Sequence, residues 1–223
     1  MPENHEPYLQ PTLTVDSDHP EVQRFAAENA GDGVSPRERA VALFYAVRDG
    51  IRYDPYGIDL SVAGMRASTA LSSGRGWCVT KAALLAACCR AQNISAALGF
   101  ADVRNHLSTE RMRRTMQTDV FYWHGYTSIF IDGQWVKATP AFNVELCEKF
   151  RLHPLEFDGR ADSIYHPYDL DGRRHMEYLN MRGEFADMPL EAIRETFDRY
   201  YSKLMETAGA DFDADVAREV RAE

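Results

Sequence analysis

The stretch GRGWCVTKAALLAACCRAQ, Gly74 to Gln92, sets a cysteine after a glycine-flanked arginine and a tryptophan, where a helix of small residues begins. Unpaired N–H groups and the positive end of the dipole favour an anion at a helix N-terminus. A thiolate at Cys78 is stabilised there, and its pKa falls below the free value. Gly74 and Gly76 let backbone and substrate approach closely. The Cys78 N–H is a candidate oxyanion donor. The same cysteine also reads as a small buried hydrophobe, which is the commoner fate of a free thiol. Cys88 and Cys89 take that second reading; for Cys78 both stay open.

A cysteine nucleophile needs a base, and His124 is the candidate. It lies in VFYWHGYTSIFI, with aromatic residues before it and Gly125 after it. A histidine packed on a sheet for structure alone is the plain alternative. The run is followed by Asp-Gly and then QWVKAT, which predicts a hairpin with a type I′ turn at Asp132-Gly133. In that register Ile131 faces Gln134, Tyr126 faces Thr139 and His124 faces Ala141. His124 and Thr139 are then diagonal neighbours on one face. A third group is needed to hold the imidazole ring and its tautomer. Thr139 is expected to accept from His124, with the Asn143 side-chain oxygen as the substitute.

Weaker signals surround these three residues. Trp77 lines an acyl site or packs in the core. Arg75 binds a substrate carboxylate or pairs with a local acid, and the second is the better reading. DVRNH, Asp102 to His106, follows the strand after the nucleophile helix and rims the cleft. YDLDGRRH starts like a calcium loop but lacks the later ligands, so it reads as a solvated turn. His153, His166 and His175 bind metal only if the fold gathers them, and no metal is expected.

The elements that must position these groups are partly legible. Asp18, with Glu21 three residues on, predicts the cap of a short helix ending near Gly31. Ser35, Pro36 and Glu38 form a capping box, and Val41, Leu43, Phe44 and Val47 give the helix an apolar stripe. Residues 58–76 read as loop with one helical turn. The helix from Cys78 to Gln92 is apolar nearly all round, which predicts burial at the centre of a domain. AALGFADV reads as a strand, and RNHLSTERMRRTMQ as irregular. Phe150 to Phe185 reads as loops and short hairpins. MPLEAIRETFDRYYSKLMETA is a helix, with Leu190, Ile193, Phe197 and Tyr200/Tyr201 facing inward. A short helix follows Asp211.

The chain has 223 residues, 45% hydrophobic, with a formal charge of -9. That is enough apolar material for a core. The negative charge argues against nucleic acid and anionic membranes as partners. No run is long and apolar enough to span a bilayer, and the N-terminus does not read as a signal peptide. Cys78, Cys88, Cys89 and Cys147 have no disulfide or zinc spacing, so the expected location is the cytoplasm.

A cysteine opening an Ala/Leu helix, then GF in a strand, then His124 in a hairpin, then WVKATP, resembles the transglutaminase-like superfamily from about Ile51 to Asn143. The resemblance implies a papain-like α+β core in which the nucleophile helix packs on an antiparallel sheet. It also implies Cys78 as nucleophile and His124 as base. Thr139 stands where the family carries an aspartate in W-V-x-x-D-P. The expectation is one domain over 1–223, with a core at about 35–143 and an accessory region at 144–223. The implied activity is amide chemistry through a thioester on peptide, protein or small amide substrates, with no cofactor. The alternative is a weak or inactive module of the same type that binds protein or peptide.

Overall fold

A computed structural model describes residues 5–32, 35–105, 108–164, 170–172, 176–201, 203 and 209–220. After a 3₁₀ turn at Glu6–Tyr8 come α1 (Pro20–Asn29), α2 (Pro36–Gly50), β1 (Arg52–Tyr53), α3 (Ala67–Ser73), β2 (Arg75–Gly76) and α4 (Cys78–Ala91). They are followed by β3 (Ala96–Asn105), α5 (Glu110–Met116), β4 (Val120–Ile131), β5 (Gln134–Ala138), α6 (Val144–Lys149), β6 (Met176–Phe185), α7 (Leu190–Tyr200) and α8 (Phe212–Val220). The main sheet runs β5-β4-β3-β6, with every pair antiparallel. A two-residue parallel ladder joins β1 to β2. Among the described residues no helix is long and apolar enough to cross a membrane.

The expected α+β arrangement is present. Helix α4 is buried from Cys78 through Arg90 and packs against α1, α2, α3, β3 and β4. The Thr127 hydroxyl of β4 donates to the Ala82 carbonyl of α4 at 2.9 Å, tying helix to sheet. Two charges lie inside this helix. The Lys81 ammonium donates to the carbonyls of Arg48 (2.9 Å) and Ile51 (2.5 Å) at the end of α2. The Arg90 guanidinium donates to the carbonyls of Gln10, Ala96 and Ala186. A buried basic group, charged or neutral, needs such partners. These two therefore act as staples between α4 and the segments around it.

The hairpin has the expected register, Ile131 opposite Gln134 through Thr127 opposite Ala138. Asp132 and Gly133 have φ of 50° and 84°, the positive pair a type I′ turn requires. The capping box of α2 is formed, with the Ser35 hydroxyl accepting from Glu38 N–H and the Glu38 carboxylate accepting from Ser35 N–H.

Other expectations are corrected. The α1 cap is His19, whose Nδ1 accepts from Glu21 N–H, and not Asp18. Helix α3 occupies part of the presumed loop at 58–76. Helix α5 forms in the presumed irregular stretch, its first turn capped by the Thr109 hydroxyl, which accepts from Met112 N–H. The segment taken as loops before Phe185 contributes β6, which pairs with β3 along its length. As an edge strand it is mostly half-buried or exposed, so it lacks the apolar alternation that identifies a strand. Along α7, Ile193 and Phe197 are buried, as is Tyr201 just after it, while Tyr200 is exposed and stacks on Tyr122 with ring centroids 4.5 Å apart.

Candidate active site

Helix α4 meets strand β4 at Gly125. A Cβ built there would lie 2.8 Å from Val79 Cα and 3.1 Å from the Cys78 carbonyl oxygen. Only glycine lets the strand approach the first turn of the helix this closely. The start of the helix is held by Thr80, whose hydroxyl oxygen accepts from Trp77 N–H at 3.1 Å. Cys78 therefore emerges in the first helical turn, against the residue that follows His124.

Cys78 and His124 line one cavity of about 40 Å³, and Trp77 is part of its wall. Tyr53, Phe142, Phe197 and Tyr201 also line it. Burial pushes the Cys78 thiol up from 9.0 to about 11, while hydrogen bonds from the backbone of Gly125, Val79 and Cys78 itself pull it down. The expected lowering at a helix N-terminus is thus corrected in sign. The N–H groups do act on the sulfur, but removal from water outweighs them. The Tyr53 hydroxyl is raised well above its ordinary value, by burial first and then by the negative charge Cys78 carries when ionised.

His124 follows a break in the strand. Trp123 has φ of 62°, a left-handed conformation uncommon for a non-glycine residue. The register against β3 shifts there, from Ala101 opposite His124 to Val103 opposite Phe121. The buried Asp102 lies at this break. Its carboxylate accepts from Trp123 N–H at 3.3 Å and from Arg182 Nε at 2.5 Å. Asn180 Nδ2 donates to its second oxygen at 3.3 Å. The Arg182 guanidinium sits 4.3 Å from the Trp123 ring centroid, and the Trp123 indole donates to Thr196 Oγ1 at 2.9 Å. Asp102, read from the sequence only as a rim residue, is a clamp on the backbone that carries His124. Its signal is an acid directly after the apolar run Ala96–Ala101; the partner Arg182 lies eighty residues away.

The third-group expectation is not met as a hydrogen bond. Thr139 Oγ1 is buried and makes no hydrogen bond among the described residues, so it does not accept from His124. Strand β5 ends one residue earlier, and the Thr139 N–H donates to the Ser163 carbonyl at 3.0 Å. The substitute is also engaged elsewhere: Asn143 precedes α6 without a side-chain cap bond, and its Oδ1 accepts from Tyr53 N–H at 3.3 Å. Neither residue is among those lining the Cys78 cavity. Arg75 also lies outside it, exposed and paired with Asp54 at 3.3 Å, as a local partner predicts. Among the described residues no group of three His, Cys, Asp or Glu side chains is placed to hold a metal. His106, His166 and His175 and most of YDLDGRRH lie outside the described residues.

Two solved structures are similar to part of the chain. One is described as a "putative cysteine protease" from Cytophaga hutchinsonii, at 18% identity and a TM-score of 0.49, covering 63% of this chain and 43% of that one. The other is a "putative protease" from Parabacteroides distasonis ATCC 8503, at 16% identity and a TM-score of 0.39, covering 53% of this chain and 23% of that one. The chain thus spans less than half the length of either. No curated protein matches. The family model of the transglutaminase-like superfamily matches residues 23–140, more than half of the chain, from α1 through the hairpin that carries His124. The chain belongs to the transglutaminase-like superfamily.

Proposed function

We propose that the protein is a cysteine-nucleophile amide hydrolase or acyltransferase, with Cys78 as nucleophile and His124 as base. The observation that carries this reading is that the two side chains line one cavity, where Gly125 of β4 packs on the first turn of α4. With its thiol protonated at neutral pH, Cys78 passes its proton to His124 as the sulfur attacks a carboxamide carbon. The backbone N–H groups of the first turn of α4 stabilise the resulting negative charge. His124 then protonates the leaving amine, and the C–N bond breaks to give a thioester. Water or a second amine resolves it, returning the proton to sulfur. No step requires a cofactor. Asp102 acts on His124 through the Trp123 backbone and is a positioning residue.

Substrates are peptides, proteins or small amides, met in the reducing cytoplasm, where four free thiols persist. The 223 residues act as one domain, since β6, from the region expected to be accessory, extends the sheet that carries His124. A second reading is favoured by the unbonded Thr139 hydroxyl and the high Cys78 pKa: a weak or inactive module that binds protein or peptide.

Screening peptide, glutamine–amine and small amide substrates against the parent and Cys78→Ala tests both readings. Turnover in the parent that is lost in Cys78→Ala supports the enzyme. Binding of the same compounds by both proteins, without turnover by either, supports the module.

A further inference from the structure

We propose that the cavity beside Cys78 receives an unbranched aliphatic acyl group, so that the protein acts on derivatives of short straight-chain acids. This rests on the reading of Cys78 as nucleophile. Cys78 and His124 both line the cavity, and the rest of its described lining is apolar or aromatic apart from Asn105 and tyrosine hydroxyls. Among its described lining residues there is no Asp, Glu, Lys or Arg. A charged acyl group entering it loses its water and gains no counter-ion, which opposes binding.

Shape narrows the class further. The cavity holds about 40 Å³. A second void of about 20 Å³ adjoins it, sharing the walls Tyr53, Asn105, Met112, Phe121 and Phe142 and closing on Phe150 and Phe212. A planar ring needs far more room, since a cavity that takes up benzene measures about 150 Å³, and a chain of five or six carbons needs as much. Two small adjoining voids suit a chain one carbon wide. Met112 and Met116, one turn apart on α5, and Met176 at the head of β6 form part of the wall. Their unbranched side chains adjust to a chain threading between them.

The other side of Trp77 is different in kind. There a more open groove of about 250 Å³ carries Asp54, Asp59 and Arg75. Trp77 borders both spaces, so an apolar acyl side and a polar groove meet at it. In the reaction the Cys78 sulfur bonds to the acyl carbon, whose chain lies in the cavity. The bond from that carbon to the leaving group breaks, and the leaving group takes a proton from His124 toward the groove.

The test uses the full chain with 4-nitrophenyl esters of acetic, butyric, hexanoic, benzoic and succinic acids, reading covalent acylation of Cys78 by intact mass and the rate by 4-nitrophenol release. Acylation should quicken from acetyl to butyryl, by about fourfold per added methylene, and slow again at hexanoyl, which outgrows the two voids. It should be slow for benzoyl and succinyl. Met116→Phe, which fills the wall, should move the optimum to a shorter chain. In parallel, binding of butyramide and hexanamide to Cys78→Ala is followed by tryptophan fluorescence, which needs no nucleophile. Acylation of Cys78 at rates indifferent to chain length, ring and charge overturns this inference and leaves the catalytic reading standing. Graded binding to Cys78→Ala without acylation of the parent overturns the catalytic reading and supports the cavity's preference. Neither binding nor acylation overturns both.

Discussion

Gly125 and Val79 bring strand and helix into contact: a Cβ on Gly125 would stand 2.8 Å from Val79 Cα, inside any real contact distance. The nucleophile and the base therefore share a hinge point that tolerates no side chain. Gly125→Ala must push α4 away from β4 or bend one of them. Such overpacking costs about 1–3 kcal/mol. The substitution should also change the rate of Cys78 modification, because it displaces the first turn of α4, which carries the sulfur, from β4. Chemical unfolding and alkylation rates on the same variant check this. A fully stable Gly125→Ala with unchanged alkylation would contradict the packing described.

The state of the thiol is open to direct titration. Burial holds Cys78 up to about 11, so it is a thiol at neutral pH in the absence of substrate. Alkylation by iodoacetamide should be slow at pH 7 and rise about tenfold per pH unit toward pH 10, since only the thiolate reacts. A rate already at its plateau below pH 7 would instead mean a resting thiolate–imidazolium pair. Cys88 and Cys89 are fully enclosed and their thiols are raised as well, so Cys78 should be the first of this helix to react.

Lys81 links pH to stability with the opposite sign. Burial lowers its ammonium from 10.5 to about 7. Between those values the unfolded chain keeps a proton that the native state has released, so stability rises with pH across that window. The slope is at most about 1.4 kcal/mol per pH unit. Cys78 works the other way: its raised thiol contributes stability that is complete below pH 9.0 and lost as pH climbs through about 11. Urea unfolding from pH 7 to 9 should show a rise in the parent that Lys81→Met lacks.

Asp102 is expected to matter through His124. Asp102→Ala removes the acceptor of Trp123 N–H and the partner of Arg182, and should destabilise the fold by about 1–3 kcal/mol. If Asp102 positions the base, the variant also shifts the pH dependence of any Cys78-dependent turnover, and Asp102→Asn, which can still accept from Trp123, restores part of it. A loss of stability with an unmoved profile in both variants would leave Asp102 a structural residue only.

Thr139 supports a paired prediction. Its hydroxyl is buried and makes no hydrogen bond among the described residues, so Thr139→Val should leave stability unchanged or slightly higher. Thr139→Asp supplies the carboxylate found at this position in the family. It should raise the His124 pKa and increase turnover if the new carboxylate reaches the ring. Imidazole titration by NMR in the three proteins checks the first effect directly. Equal His124 pKa values in all three would remove Thr139 from the site.

Several features of this protein are written locally. Ser35, Pro36 and Glu38 cap α2 because a capping box needs only four consecutive residues. Asp132-Gly133 sets the hairpin register because both positions must adopt positive φ, which these residues accept. The run from Cys78 to Ala91 has too few polar positions for a solvated face, so its burial was legible without any partner. The order of cysteine, strand and histidine sufficed to suggest the family.

Tertiary structure decided the rest, because each remaining property sums over distant groups. Lys81 and Arg90 look like surface charges until the ends of α2 and β6 bring carbonyls to them. Strand β6 has no apolar alternation, since it lies at the sheet edge and is specified by pairing with β3. The side chain of Thr139 lies on no predictable partner, because β5 ends before it and Ser163 takes its backbone. The sign of the Cys78 pKa shift was unreadable for the same reason. Helix position lowers it and is visible in the sequence; desolvation raises it and depends on every residue that the fold packs around the sulfur.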